Sequence, residues 1–196
     1  MRKTSFTISA LCAALLWVGT AHATPRFIDN GDGTISDTTT GLMWEKKTGS
    51  FSGGTNCFGP ASCKDAHSVN NRYSWSEIGN NPDGSAFTQF LYALNKDVSK
   101  TGDDSLGCFA NHCDWRLPEI EELEGIIDLN VPRCCSGIGL ACIDPIFGPT
   151  VTGDYESATT ESGSPSSAWF VNFCTGNSDP GSKRFDFYVR AVRGGP

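Results

Sequence analysis

Two short apolar segments near the start of the chain flank a stretch rich in glycine and acidic residues. Residues 26–28 and 34–37 are candidate strands, and two Asx-Gly pairs occupy residues 30–33 between them. Such pairs supply the positive φ angles that a tight hairpin needs. A calcium loop is the alternative, but the EF-hand register puts Ile28 and Thr39 where oxygen ligands from acidic side chains are required. The pattern therefore predicts a β-hairpin.

Alternating apolar and polar residues mark further strands. One is predicted over residues 41–45, where Leu42 and Trp44 fall on the same face at period two. Beyond residue 153, the apolar residues lie between turns rich in Ser, Gly, Asp and Pro. This pattern predicts three more strands, at residues 154–159, 168–173 and 184–192.

Two short helices are predicted in the middle of the chain. The first is predicted over residues 63–71, with Ser62 as its cap. The second follows Ser85, and its apolar stripe consists of Phe87, Phe90, Leu91 and Leu94.

A third helix is predicted with Pro118 in its first turn, where the missing N–H of proline costs nothing. Glutamates near its start are favoured by the helix dipole. Glu121 and Glu124 share a face and are a possible acid–base pair, but a solvated helix start explains them without chemistry. The predicted buried face consists of Ile120, Leu123, Ile126 and Ile127.

Short strands, two or three helices and long loops at residues 49–60 and 131–153 predict an α+β fold. The strands are expected to be antiparallel. Residues 24–196 are enough for one domain with a substantial core.

Residues 1–23 have the pattern of a secretory signal peptide. A basic start precedes an apolar stretch at residues 8–18, and Ala21-His22-Ala23 matches a small-x-small cleavage pattern. The apolar stretch is too short and too early to be a good membrane anchor. We therefore expect a bacterial protein that is secreted or periplasmic, starts near Thr24 and is not embedded in a membrane.

The charge of the mature chain argues against several partners. Without Arg2 and Lys3, 13 basic and 22 acidic residues remain, a formal charge of −9. Such a surface repels nucleic acid and anionic lipid at long range, so neither is expected as a partner. A sulfated glycan is disfavoured for the same reason unless basic residues gather locally.

Eight cysteines follow residue 23, and this even number predicts four disulfides in an exported chain. Adjacent Cys134 and Cys135 point in different directions, so one is expected to pair locally with Cys142 and the other with distant Cys174. The remaining cysteines suggest two short loops, Cys57 with Cys63 and Cys108 with Cys113.

Signatures of catalysis and metal binding are weak. His67 and His112 are the two imidazoles of the mature chain, and the sequence has no Cys-x-x-Cys, no Gly-x-Ser-x-Gly and no His-Glu-x-x-His. A free catalytic cysteine would break the even count. We therefore expect no enzymatic activity, no cofactor and no bound metal.

Six motifs follow one another along nearly the whole mature chain. They are residues 27–37, 40–44 (Thr-Gly-Leu-Met-Trp), 114–118 (Asp-Trp-Arg-Leu-Pro), 143–147 (Ile-Asp-Pro-Ile-Phe), 157–160 (Ser-Ala-Thr-Thr) and 189–195. In this order they resemble the DUF1566 family, which is also called the Lcl C-terminal domain after a collagen-like adhesin of Legionella.

This resemblance implies a C-type-lectin-like fold, in which the N- and C-terminal strands pair and long loops carry the variable surface. It also supports the hairpin at residues 26–37. The adhesin binds sulfated glycans through its C-terminal region, and most other members have no assigned activity. The present chain departs from the family pattern in having Tyr155-Glu156-Ser157 in place of Tyr-Trp-Ser, and it has no collagen-like repeat.

The motif side chains are expected to be structural. Trp115 is expected in the core, with Arg116 paired to a carboxylate or to carbonyls before the third helix. In the alternative reading, Trp115 stacks on a sugar while Arg116 and Asp114 bind its hydroxyls. The full set of structural motif residues is Trp44, Trp115, Arg116, Pro118, Arg190 and Arg193.

Calcium-dependent sugar binding is not expected, because neither Glu-Pro-Asn nor Trp-Asn-Asp occurs. A glycan could still stack on aromatic side chains of the long loops. The sequence thus predicts an exported recognition or adhesion module that binds a glycan or a cell-surface ligand. The alternative is a protein–protein interaction subunit of an envelope or surface assembly. Candidate ligand-binding residues are Trp75, Tyr73, Phe58 and Phe109.

Overall fold

A computed structural model describes residues 24–58, 63–96, 107–136 and 140–194. The predicted signal peptide, residues 1–23, and the predicted helix cap Ser62 lie outside these described residues. Within these ranges there are ten strands: β1 (Phe27–Asp29), β2 (Thr34–Asp37), β3 (Leu42–Glu45), β4 (Thr55–Asn56), β5 (Asn71–Ser74), β6 (Asp154–Thr160), β7 (Ser167–Asn172), β8 (Ser178–Ser182), β9 (Asp186–Tyr188) and β10 (Val192–Gly194).

Four strands from the two ends of the chain form one sheet, in the order β1-β2-β3-β10, with antiparallel neighbours throughout. The predicted hairpin is confirmed, because Phe27 pairs with Asp37 and Asp29 with Ile35. The acidic residues of its turn bind backbone: Asp29 accepts from the Gly31 N–H and Asp32 from the Thr34 N–H. This sheet joins the N- and C-terminal strands.

The second sheet has the order β4-β5-β9-β6-β7-β8. Its neighbours are antiparallel except for the parallel pairs β4–β5 and β6–β9, so the expectation of antiparallel strands is wrong for these two pairs. β6 and β7 confirm the strands predicted from residues 154 and 168. The single strand predicted over residues 184–192 is wrong, because β9 belongs to this sheet and β10 to the terminal one. The edge strand β8 was not predicted.

Two helical segments of the described chain pack on the sheets. The segment α1 begins with a π-helical stretch, Ala86–Leu91, and ends with an α-helical turn, Tyr92–Leu94. The helix α2 spans Ile120–Gly125 and contacts β6 and β7. Pro118 precedes α2 by two residues instead of lying in its first turn. Single 3₁₀ turns occur at Phe109–Asn111 and Pro145–Phe147.

The helix predicted over residues 63–71 is wrong. Residues 71–74 form β5, and Val69 and Asn71 are buried together with Tyr73. Asn71 Nδ2 donates to Asp65 O at 2.7 Å and to Tyr73 Oη at 2.9 Å, which ties the turns of residues 66–70 to the start of β5.

Buried side chains form two apolar clusters. The first lies between the terminal sheet, α2 and the second sheet, and includes Trp44, Leu123 and Tyr155. The second joins β5, α1 and the segment around Trp115, and includes Phe90. The protein is therefore a sheet-rich α+β fold with few helices. None of the helices in the described ranges is long and apolar enough to cross a bilayer.

Four disulfides connect the loops, and they match the predicted pairing. Cys57 bonds Cys63 and Cys108 bonds Cys113 across short loops, while the adjacent cysteines pair as Cys134–Cys142 and Cys135–Cys174. The last of these joins the central loop to the end of β7 across 39 residues.

Candidate functional site

A groove of about 280 Å³ lies at the end of β5, between the loop that follows β4 and the start of α1. We call it the loop groove. Three segments build it: the loop after β4, the turn between β5 and α1, and the turn between β8 and β9. Its lining consists of Cys57, Phe58, Ser74, Ser76, Glu77, Ser85, Gln89, Arg184 and Asp186.

The wall of the loop groove is held by hydrogen bonds between β5 and the start of α1. Ser85 Oγ accepts from the Ser74 N–H at 3.0 Å, and the Ser85 N–H donates to Ser74 Oγ at 3.2 Å. Gly84 permits this close approach, because a Cβ there would lie 2.6 Å from Ser76 N. The serine hydroxyls are therefore fixed before any ligand arrives.

The turn after β5 is organised by Asp83. Its Oδ1 accepts from Ser76 Oγ at 2.8 Å and from the Glu77 N–H at 2.9 Å. These hydrogen bonds hold the pKa of Asp83 below its ordinary value. Ser76 Oγ also accepts from the Gly79 N–H at 2.9 Å, so the turn that carries Glu77 has a defined shape.

One large exposed apolar side chain lines the loop groove, and two others are sequence neighbours of lining residues. Phe58 lines it and is 78% exposed. Ile78, which follows the lining residue Glu77, is 70% exposed, and Phe185, which lies between Arg184 and Asp186, is 62% exposed. These are three of the eight large hydrophobic side chains exposed in the described residues. Phe58 is therefore the exposed aromatic face of the groove.

Charged groups of both signs line the same groove. Arg184 and Glu77 are exposed, and Asp186 is half-buried. Burial raises the pKa of Asp186, while the nearby Arg72 opposes the shift. Arg72 Nε donates to the carbonyl oxygen of Asp186 at 2.9 Å, which fixes the start of β9. An aromatic face, carboxylates and a guanidinium are thus available to a polar ligand.

The four aromatic residues predicted to bind ligand are not together. Phe58 lines the loop groove, but Tyr73 and Trp75 are 1% and 6% exposed and belong to the second core cluster. Burial therefore excludes Tyr73 and Trp75 as loop-surface contacts. Phe109 is half-buried, with its ring 4.3 Å from that of His67 and 5.0 Å from that of Trp115. Sequence reasoning missed the lining residues Arg184 and Asp186, which lie in a turn-rich segment.

The motif residues around Trp115 make structural contacts. Trp115 is 3% exposed, and its Nε1 donates to Phe109 O at 3.0 Å, which excludes the alternative in which it stacks on a sugar. Arg116 donates to both carboxylate oxygens of Glu122 at 2.7 Å. Pro118 O accepts from the Ala158 N–H at 2.7 Å.

Both arginines of the C-terminal motif also bind protein groups. Arg193 donates to both carboxylate oxygens of Asp114, at 2.7 and 3.1 Å. Arg190 is fully buried, and its Nη1 donates to Glu45 O at 2.7 Å and to Phe147 O at 3.0 Å. These bonds fasten the end of the chain to the terminal sheet.

A buried charged cluster lies beneath Arg190. Glu45 Oε1 accepts from Lys47 Nζ at 2.9 Å and is 2.8 Å from His67 Nδ1, and Glu45 Oε2 accepts from the Ala191 N–H at 3.0 Å. Burial alone would raise the pKa of Glu45, but the charge of Lys47 and the contact with His67 outweigh it and lower that pKa. No serine or threonine hydroxyl bonds to the imidazole of His67 or His112 within the described residues. The cluster holds β3 and the segment before β10 together.

Glu156 occupies the position where the family resemblance implies a tryptophan, and it is completely buried on β6. Neither of its carboxylate oxygens has a hydrogen-bond partner in the described part of the chain. Burial raises its pKa well above the ordinary value, and the charge of Lys183 opposes this shift. Lys183 itself donates to Thr160 Oγ1 at 2.7 Å and lies 3.7 Å from the ring centroid of Trp75.

No three His, Cys, Asp or Glu side chains gather as a metal ion would require in the ranges that the structure describes. A search of curated proteins and a search of solved structures each found no match. The family model of the Lcl C-terminal domain matches residues 33–193, so the chain belongs to the Lcl C-terminal domain family.

Proposed function

We propose that this protein is an exported recognition module whose loop groove binds a glycan on a cell surface without catalysis. The observation that carries the proposal is the exposed ring of Phe58 in a groove that is also lined by charges of both signs. An aromatic face for stacking and a few polar groups for orientation are what a sugar site needs.

The fold proposed for this function is C-type-lectin-like. Two features support it: the N- and C-terminal strands share a sheet, and the loop groove is built from loops. Four disulfides among the described residues favour an oxidising compartment, as does the signal-like pattern of residues 1–23.

A non-catalytic role is supported by where the titratable groups lie. The Glu45–His67 contact resembles part of a catalytic triad, but Glu45 is committed to Lys47 and to the Ala191 backbone. Neither Glu45 nor His67 lines the loop groove. The groups that line it are therefore suited to hold a ligand in place, with no paired nucleophile and base among those described.

A protein partner is the second candidate. Ile78 favours it, because an aliphatic side chain that is 70% exposed offers no stacking face to a sugar and suits an apolar contact with another protein. In this alternative the same surface binds a subunit of an envelope or surface assembly.

A glycan array probed with the oxidised protein, with and without calcium, tests the proposal. We expect calcium-independent binding that Phe58→Ala or Arg184→Ala weakens at least about tenfold, as expected for central contacts. Phe51→Ala is the matched control, because Phe51 is 56% exposed but does not line the loop groove. Absence of any glycan hit, or equal loss with Phe51→Ala, would refute glycan binding at this groove. Loss of a captured surface protein on Ile78→Asp would then support the second candidate.

A further inference from the structure

Two of the four disulfides are joined through adjacent residues of the chain. Cys134 bonds Cys142 and Cys135 bonds Cys174, with Cα–Cα distances of 4.8 and 4.7 Å. Because Cys134 and Cys135 are consecutive, these four residues lie together, and we call them the cysteine cluster. The other two disulfides each close a short loop by themselves. A thiolate formed in the cysteine cluster therefore has a second disulfide beside it.

Cys142 and Cys174 are neighbours without the help of the other two cysteines. The Cys142 N–H donates to Phe173 O at 2.7 Å, and Cys142 Sγ lies 2.9 Å from the carbonyl oxygen of Cys174. Cys142 is 0% exposed, and the residues on both sides of it belong to the first core cluster, as does Phe173. The core thus holds Cys142 and Cys174 at the close range that a disulfide requires.

The adjacent cysteines lie on a segment that is held less firmly, residues 130–136, which we call the cysteine loop. Cys135 is exposed and Cys134 is half-buried. In the described part of the chain, the cysteine loop makes hydrogen bonds only with groups of residues 128–140. Arg133 and Cys135 have φ angles of +63° and +54°, which are unfavourable for residues with a side chain. The two disulfides are therefore its main connection to the core.

These positions favour a defined order of thiol–disulfide exchange. Cys135 is the exposed entry point, and attack of an external thiolate on its Sγ breaks the bond to Cys174, which leaves as a thiolate. The Cys174 thiolate lies beside Cys142, so it attacks Cys142 Sγ. This step forms the Cys142–Cys174 bond, breaks the Cys134–Cys142 bond and releases Cys134 as a thiolate.

We propose that the cysteine cluster is a substrate of a dithiol oxidoreductase, and that its two-electron-reduced form contains a Cys142–Cys174 disulfide and a free Cys134-Cys135 dithiol. The second thiol of the oxidoreductase displaces Cys135 from the mixed disulfide, so that this partner is oxidised to its own disulfide. Two electrons and two protons pass to the protein, and the internal exchange transfers none. The cysteine loop is released while the core stays crosslinked. The property does not depend on what the loop groove binds.

Limited reduction of the oxidised protein tests the proposal, with dithiothreitol as the dithiol. Graded amounts are added, free thiols are trapped with N-ethylmaleimide, and the protein is digested with pepsin in acid, where exchange stops because thiolates are protonated. Cleavage at Leu140 and Phe173 separates the adjacent cysteines from the other two. Mass spectrometry of the unreduced peptides then identifies each bond and each trapped thiol.

The first reduced form of the cluster should carry the label on both Cys134 and Cys135, together with a peptide pair linked through Cys142 and Cys174. Amide hydrogen exchange of this form should be faster at Cys135 and unchanged at Cys142, whose N–H remains bonded to the core. Label on Cys135 and Cys174 with the Cys134–Cys142 bond intact would overturn the proposal, as would reduction of all four cysteines with no doubly labelled form.

Cys108 and Cys113 provide the matched control within the same protein. Cys113 is exposed, like Cys135, but no second disulfide is adjacent to its bond. Reduction there should label only Cys108 and Cys113, without any new pairing. New pairs that include either of these residues would show that exchange is general, and the cysteine cluster would then have no special role.

A variant tests the Cys142–Cys174 contact without any reductant. Cys134→Ser/Cys135→Ser removes both loop cysteines, and peptide mapping after air oxidation should find Cys142 bonded to Cys174. Cys57→Ser is the reference for a thiol left without a partner, because Cys63 should then be labelled. Labelled Cys142 and Cys174 in a folded double variant would overturn the proposal. If the double variant does not fold, limited reduction of the unaltered protein decides.

Discussion

At the residue scale, the buried and the exposed ion pairs of this protein differ in what they contribute. Glu45 and Lys47 are 0% and 4% exposed, and each contacts further groups, whereas Asp29 and Lys46 are about one-third exposed. Removing one member of a buried pair leaves an uncompensated charge in the core, but a surface pair is largely replaced by water.

We therefore expect Glu45→Gln to lower the free energy of unfolding by about 3–5 kcal/mol at neutral pH. Because the folded-state pKa of Glu45 is lowered, its contribution is present above the ordinary glutamate pKa and is lost as pH falls through the folded value. Urea unfolding of both proteins across pH measures this, and the gap between them should close in acid. Asp29→Asn should have a much smaller effect, and an equal effect would contradict the argument.

Glu156 should affect the free energy of unfolding in the opposite direction from Glu45. Its folded-state pKa is raised, so its favourable contribution is present below the ordinary glutamate pKa and is lost as pH rises through the folded value. Glu156→Gln should therefore raise the free energy of unfolding at pH 7 by about 1–3 kcal/mol, and this gain should vanish near pH 4.

Urea unfolding at both pH values tests this expectation, with Glu161→Gln as a control that changes a half-exposed glutamate. A Glu156→Gln protein that is less stable than wild type at pH 7 would mean that the attraction between Glu156 and Lys183 outweighs the cost of burial.

The residue scale also shows why the aromatic candidates were misassigned. Val69, Asn71, Tyr73 and Trp75 are all buried and recur at period two, which is the pattern of a strand. The polar Asn71 interrupts this pattern in the sequence, and only the fold provides Asp65 O and Tyr73 Oη as its partners. Tyr73 and Trp75 therefore looked like loop residues.

At the element scale, the sequence predicted those strands and helices whose own residues show a turn motif, a cap or an apolar face. The hairpin at residues 26–37 has Asx-Gly turns, and α2 has its apolar face together with acidic residues at its start. β8 has no such signal, because Ser-Asp-Pro-Gly-Ser is typical of a turn. It is a strand because it pairs with β7 at the sheet edge, where the missing N–H of Pro180 is tolerated.

The loop groove could not be predicted for a similar reason. Its lining comes from three segments that are far apart in sequence, and their approach depends on the pairing of β5 with β9 and on Gly84. The sequence indicated Phe58 as a candidate but carried no signal that would bring it close to Arg184 and Asp186.

The disulfides should contribute more stability the longer the loop that they close, although the increase is only logarithmic. Cys135 and Cys174 are 39 residues apart, and Cys57 and Cys63 are 6 apart. In the chain-entropy account, replacing the first pair by serine should cost about 4 kcal/mol and replacing the second about 2 kcal/mol. Urea unfolding of the two double-serine variants measures the difference. Equal costs would show that loop length does not govern the stability of this protein.

At the scale of the whole molecule, the two ends of the chain are joined in one sheet while the disulfides lie in the loops outside it. The family resemblance predicted this pairing of the ends, whereas the local pattern gave a single strand over residues 184–192. The chain leaves the second sheet after Tyr188 and enters the terminal sheet at Val192, and buried Arg190 anchors the crossing between them. The apolar and polar alternation of the sequence does not show that the chain changes sheets within these three residues.

Val192 is where this arrangement can be tested. It is fully buried and pairs with Trp44, and its backbone N–H and C=O both bond to the backbone of Arg116. One residue of β10 therefore connects β3 with the segment before α2. Val192→Asp places a charge in the first core cluster without a partner, and we expect it to cost at least about 3 kcal/mol.

Ile28→Asp is the matched control for Val192→Asp, because Ile28 lies on the edge strand β1 and is 38% exposed. Thermal unfolding followed by circular dichroism should show a large loss of stability for Val192→Asp and a small one for Ile28→Asp. If both proteins unfold at the wild-type temperature, the pairing of β10 does not hold the ends together. The cost of Val192→Asp should persist with all four disulfides intact, because none of them includes a residue of the terminal sheet.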